Sequence, residues 1–282
     1  MHAELLNAGA VRRVRLLAIL VAIPAVFLLA ACGPADSSDA DSPGAESAGL
    51  TADASAIVYE GAQVITGDGG VVDDAVMVVQ DGRFVAVGPR AEIDAPEGAT
   101  RVDLTGKTVM PALVNAHIHM ATQREQMIEQ LRHTAYYGVG AVVSLGSDPG
   151  DVALNLRSEV IPGAARLRSA GRGITRPEPG RGEVPYWINT TDEARQAVQE
   201  LAAAQVDIVK IWVDDRDGQY EKLTPELYGA VLDEARAQGL IVTAHIFDLA
   251  DAKGLLRAGI NAFAHGIRDQ DIDDELVELW DQ

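Results

Sequence analysis

Four of the chain's six histidines, His117, His119, His245 and His265, stand at the C-terminal ends of short apolar runs. Neutral imidazole is the commonest protein metal ligand. On a strand the side-chain period is two, so the rings of His117-Ile118-His119 project to the same side and make half a metal site. His2 and His133 fall elsewhere, in an N-terminal apolar segment and within a helix-length stretch. Lys210 interrupts the run Val206-Asp207-Ile208-Val209-Lys210-Ile211-Trp212, where an ammonium is costly to bury. A buried lysine is discharged toward neutral pH and becomes a nucleophilic amine. Such an amine can take up carbon dioxide as a carbamate, a carboxylate-like ligand able to bridge two metals; a strand-end lysine snorkelling to solvent is the other reading. Cys32 is the sole cysteine, which excludes a disulfide framework and any multi-thiolate centre. A metal would therefore be held by histidine and oxygen.

These residues need elements to position them. After Pro111, candidate strands Ala112–His117, Gly140–Leu145, Arg166–Ala170, Asp207–Trp212, Ile241–His245 and Asn261–His265 alternate with amphipathic helix-length segments. Thr190 with Glu193 forms a capping box, Thr224 caps a helix with Pro225 at its first position, and Gly239 suits the left-handed residue after its end. Asp248 and Gly259 bracket the next helix. Alternating β and α segments predict a parallel sheet with right-handed crossovers. The fold class is α/β, an incomplete (β/α)8 TIM barrel of about six βα units, since eight need roughly 250 residues. An open doubly wound sheet would show a glycine-rich phosphate turn after its first strand, and here that strand ends in histidines. In a barrel the C-terminal strand ends form one face, which brings all four histidines together.

The barrel part is residues 109–282. Residues 56–108 read as a small β-sandwich segment, an antiparallel sheet with strands Ile57–Ile65, Ala75–Gln80, Phe84–Gly88 and Arg101–Leu104. Asp81-Gly82 is its type I′ hairpin turn. Residues 32–55, small, polar and acidic, are a flexible tether. Residues 1–31 read as a signal peptide: Arg12, Arg13 and Arg15 precede the apolar run Leu16 to Leu29, too short for a stable membrane span. Leu29-Ala30-Ala31-Cys32 resembles a bacterial lipobox, with lipid attached to Cys32. The expected location is the bacterial cell envelope, on its periplasmic or extracellular face, with membrane contact through the lipid only. With 23 Lys+Arg against 42 Asp+Glu, the net charge of −19 argues against nucleic acid as a partner.

Val109-Met110-Pro111-Ala112-Leu113-Val114-Asn115-Ala116-His117-Ile118-His119, Lys210, Thr243-Ala244-His245 and Phe263-Ala264-His265-Gly266 together resemble the amidohydrolase superfamily of metal-dependent hydrolases. The similarity is to its imidazolonepropionase-like and Xaa-Pro dipeptidase-like branch, and it covers residues 56–282. The resemblance implies two divalent ions, most naturally zinc: one on His117 and His119, the other on His245 and His265, bridged by carboxylated Lys210. It implies hydrolysis of a C–N bond in an amide, peptide or cyclic amide by metal-activated hydroxide, with a small amide or dipeptide-like substrate. The general base it implies, an aspartate at the end of an eighth strand, is expected beyond Gln282. Asp269, Asp271, Asp273 and Asp274 read instead as a solvated helix start. Arg268 is a candidate for a substrate carboxylate, the loop Gly171–Asn189 for a lid, and Asp214, Asp215, Arg216 and Asp217 are left without a role. The rival expectation is a catalytically incomplete metal-binding lipoprotein fragment.

Overall fold

The structure, a computed structural model, describes residues 56–281. The signal segment, the tether and Cys32 lie outside the described residues. The described chain opens with β1 (Ile57–Ile65), β2 (Val71–Gln80), β3 (Arg83–Pro89), β4 (Thr100–Asp103) and β5 (Thr108–Val109), which form one sheet in the order β3-β2-β1-β4, with β5 also on β1. Asp81 and Gly82, at φ 51° and 72°, join the paired residues Gln80 and Arg83, as the I′ turn requires. The sheet is not purely antiparallel, because β4 and β5 pair with β1 in parallel. After β3 the chain returns to the start of the sheet, so that Thr100 lies opposite Ile57. A sandwich would need a second layer, and the described residues of this part supply one sheet.

From there strands and helices alternate: β6 (Leu113–Ile118), α1 (Arg124–Tyr136), β7 (Val139–Ser144), α2 (Val152–Leu156), β8 (Arg166–Ser169), β9 (Ile174–Thr175), β10 (Tyr186–Trp187), α3 (Thr191–Ala203), β11 (Val209–Val213), α4 (Pro225–Ala237), β12 (Val242–Ile246), α5 (Leu249–Arg257), β13 (Ala262–Phe263) and α6 (Asp274–Trp280). The ladders β6-β7-β8 and β10-β9-β11-β12-β13 are parallel throughout. They are contiguous, since Gly173 N donates to Gly146 O (2.8 Å) and Asp207 N to Ser169 O (3.0 Å). The segment expected as a free loop, Gly171–Asn189, is thus partly sheet: β9 pairs with β11 and β10 with β9.

Helix termini follow the sequence. Thr190 and Glu193 form the capping box, Thr224 accepts from Leu227 N behind Pro225, and Gly239 and Gly259 are left-handed at φ 71° and 82°. Asp248 departs from its expected role: its carboxylate takes Lys222 Nζ (2.8 Å) and makes no cap bond. Instead Leu249 N donates to Asp269 Oδ1 (2.9 Å), and Asp273 caps α6. The main core joins β11 and β12 to α3, α4 and α5 through Val209, Ile211, Val213, Ala244, Ile246, Val198, Val231 and Leu255. Strands covered on both faces read as continuous apolar runs. β6 differs: it is an edge strand, with Leu113 and Val114 55% and 62% exposed.

Candidate active site

His117 and His245 lie on β6 and β12, while His119 and His265 follow β6 and β13 by one and two residues. The parallel ladder brings them together. His117 Nε2 and His119 Nε2 are 3.3 Å apart, and the His117 and His265 ring centroids lie 4.5 Å apart. His245 and His265 follow at 4.6 Å. Burial is the main cause holding all four below the ordinary imidazole value, His245 and His265 at about 4, with the charge of Lys210 acting on each in the same direction. At neutral pH the rings are therefore uncharged and each keeps one lone pair.

Lys210, on β11, is fully buried, and its Nζ has no hydrogen-bond partner. Desolvation, assisted by the charge of Arg216, brings its amine down to about 7. The snorkelling alternative is thereby excluded. The side chain passes Gly146, where a Cβ would lie 2.9 Å from Lys210 Cγ, and its amine sits 5.2 Å from the centre of the Trp212 ring. Trp212 in turn occupies space left by Gly146 and Gly173. Gly146 after β7 and Gly173 before β9 thus admit the indole that lies by the amine.

Acidic groups complete the surroundings; of these the sequence singled out only Asp214, without a role. Asp148, after β7, is buried and accepts from Ser144 Oγ (2.7 Å) and Ser169 Oγ (2.5 Å). Burial raises its carboxyl, and these hydroxyls and His119 act against that. Asp214, after β11, has its Oδ2 2.7 Å from His245 Nε2. Burial opposes its ionisation, but hydrogen bonds from Arg216 and His245 outweigh this and hold the carboxyl low. Glu178 is buried 3.4 Å from Arg216 Nε. Asp148 could have been found by the rule that found the histidines, since it too follows the C-terminal end of a strand.

Other expectations shift. Arg268 is exposed, with its guanidinium over the Phe247 ring at 5.7 Å, outside the cluster although its charge reaches His265. In the candidate lid segment, Arg172 and Arg176 brace their own chain: Arg172 stacks on Tyr186 at 3.8 Å, and Arg176 donates to Ile188 O and Asn189 Oδ1. A cavity of 390 Å³ bounded by Arg176, Thr190 and Thr224 is lined by none of the four histidines.

Among the described residues no group of three or more His, Cys, Asp or Glu side chains is spaced to hold a metal ion. The cluster supplies instead a convergent pair of Nε2 atoms, two further neutral imidazoles and an orphaned buried amine. That donor set suits a borderline divalent ion once an oxygen ligand is added.

No protein-family model matches the chain. It is 26% identical over 198 residues to imidazolonepropionase of Mycolicibacterium smegmatis, covering 68% of this chain and 49% of that protein. An uncharacterized protein of Mycobacterium tuberculosis is 31% identical over 173 residues, 57% of this chain and 45% of its own length. Among solved structures, a protein assigned as a prolidase from Bifidobacterium longum superposes with a TM-score of 0.70 at 29% identity, over 80% of this chain and 57% of that one. The chain spans about half the length of the curated relatives it matches. With parallel βα units, histidines gathered at the strand ends, a buried lysine, and these relatives, the chain is similar to members of the amidohydrolase superfamily.

Proposed function

We propose that the protein is an exported, lipid-anchored metal-dependent hydrolase of C–N bonds, acting on a small amide, dipeptide-like or cyclic amide substrate. The observation that carries this reading is Lys210: a fully buried amine without a partner, whose charge acts on all four histidines. Carboxylation gives the amine a purpose. The Nζ lone pair adds to the carbon of carbon dioxide, a C–N bond forms, and one amine proton leaves to water, giving a carbamate anion. In this reading His117 and His119 would hold one divalent ion and His245 and His265 another, and carboxylated Lys210 would supply them an oxygen ligand. Zinc suits the donor set. When bound, the ions supply Lewis acidity that lets water attack a carbonyl near neutral pH.

The chain's own groups do the rest. Burial keeps the four imidazoles neutral, so they hold a cation without first losing a proton. Trp212 covers the Lys210 amine and limits its access to water. Arg268, exposed and with its charge reaching His265, is the candidate to meet an anionic end of the substrate. The proton acceptor is proposed to be an aspartate at the end of an eighth strand, in a barrel whose further strands would cover Leu113 and Val114 of β6. Metal dependence is general in the superfamily.

The test is elemental analysis and ¹³C NMR of the purified whole chain equilibrated with zinc and ¹³C-bicarbonate. Two ions per chain and a carbamate resonance absent from Lys210→Ala are expected. One ion in both proteins, with no carbamate signal, would sink the bridging role. Hydrolysis of a panel of dipeptides and N-acyl amino acids then identifies the substrate class.

A further inference from the structure

An imidazole offers a metal one nitrogen, and which one depends on where its hydrogen sits. For His245 the answer comes from the loop after β11. Arg216, Asp217 and Gly218 run successively through the left-handed region, at φ 58°, 58° and 76°. For an arginine this conformation is strained and persists only where the surroundings impose it. The turn folds Arg216 back over the strand end. Its backbone N donates to Asp214 Oδ1 at 2.8 Å, its Nη1 pairs with Asp214 Oδ2, and its side chain is 11% exposed.

His245 Nε2 meets the same group, 2.7 Å from Asp214 Oδ2 and 2.9 Å from Arg216 Nη1. Guanidinium is donor only, and an ionised carboxylate is acceptor only. If Nε2 held a lone pair to accept from Arg216, that pair would face the carboxylate oxygen at 2.7 Å with no hydrogen between. The hydrogen must therefore sit on Nε2 and point to Asp214, leaving the lone pair on Nδ1. We propose that Asp214, aimed by Arg216 on its left-handed turn, is a positioning residue that fixes His245 in the Nε2–H tautomer with Nδ1 as its free ligand nitrogen. The carboxylate thus orients the ring from behind, as outer partners of ligating histidines do. Only the use made of Nδ1 rests on the metal reading; the tautomer does not.

The experiment is ¹⁵N NMR of the metal-free whole chain with labelled histidine rings, His245 being assigned by its absence in His245→Gln. Wild type is expected to show a protonated Nε2 and a bare Nδ1. In Asp214→Leu, Arg216 becomes the remaining partner of Nε2 and donates to it, so the hydrogen should move to Nδ1. Zinc titration followed by calorimetry should then show affinity for the His245 ion falling by about 10–100-fold, with partial recovery in Asp214→Glu. A wild-type spectrum with the hydrogen on Nδ1, or averaged over both nitrogens, overturns the proposal whether or not the variant folds. An unchanged tautomer in Asp214→Leu overturns it too. Wild type with the expected tautomer but no zinc binding would refute the metal reading and leave the role of Asp214 standing.

Discussion

The Nε2 atoms of His117 and His119 lie 3.3 Å apart although Ile118 separates the two residues. Partial desolvation and the nearby charge of Lys210 hold both rings below the ordinary imidazole value, so neither repels an arriving cation near neutral pH. Replacing either with alanine should remove one ion per chain while leaving the fold intact, because His119 is exposed and His117 only half-buried. Elemental analysis beside far-UV circular dichroism checks this. Full metal content in both variants would show that the pair is not a ligand set.

Lys210 makes stability depend on pH in a predictable direction. Its folded value, about 7, lies below the ordinary 10.5. Below pH 7 both states are protonated, and the folded chain carries a buried ammonium. Between about 7 and 10.5 the unfolded chain binds the extra proton, so stability rises with pH by up to about 1.4 kcal/mol per pH unit. Urea unfolding of the metal-free protein at pH 6.5 and 9 should show this rise beyond whatever Lys210→Met shows. Equal pH dependence in the two proteins would contradict the buried, discharged amine.

Gly173 and Trp212 should be coupled. A Cβ at position 173 would overlap the indole, and the backbone oxygen of Lys210 lies 3.0 Å from it, so neither side can yield freely. Gly173→Ala is expected to cost about 1–3 kcal/mol through overpacking. Trp212→Leu in the same chain should return part of that loss, measured as a urea double-mutant cycle. Strict additivity would mean that the two do not share the space.

Cys32 tests the export reading. Metabolic labelling with palmitate in a bacterial host should mark the wild-type chain and leave Cys32→Ser unmarked. Equal labelling of both would remove the lipid anchor from the proposal.

Much of this protein is determined locally and could be read from the chain alone. The Asp81-Gly82 turn, the Thr190 capping box and the glycines ending α4 and α5 follow from backbone conformations that few other residues tolerate. The alternation of apolar runs with amphipathic segments was enough to set the order of the main strands and helices, though not the short β9 and β10, and period two was enough to aim His117 and His119 together. What the chain could not disclose depends on partners distant in sequence. The parallel placement of β4 beside β1 is a choice of sheet edge, which no local pattern encodes. Whether Lys210 snorkels or is buried was decided by Gly146 and Trp212 closing around it, 64 residues and two residues away. Asp214 gained its meaning only when β11 and β12 paired in register, setting Trp212 opposite His245 and bringing the ring within 2.7 Å of the carboxylate. Local propensity fixes which elements form, whereas burial and hydrogen bonding between elements decide which side chains become neutral, oriented and reactive.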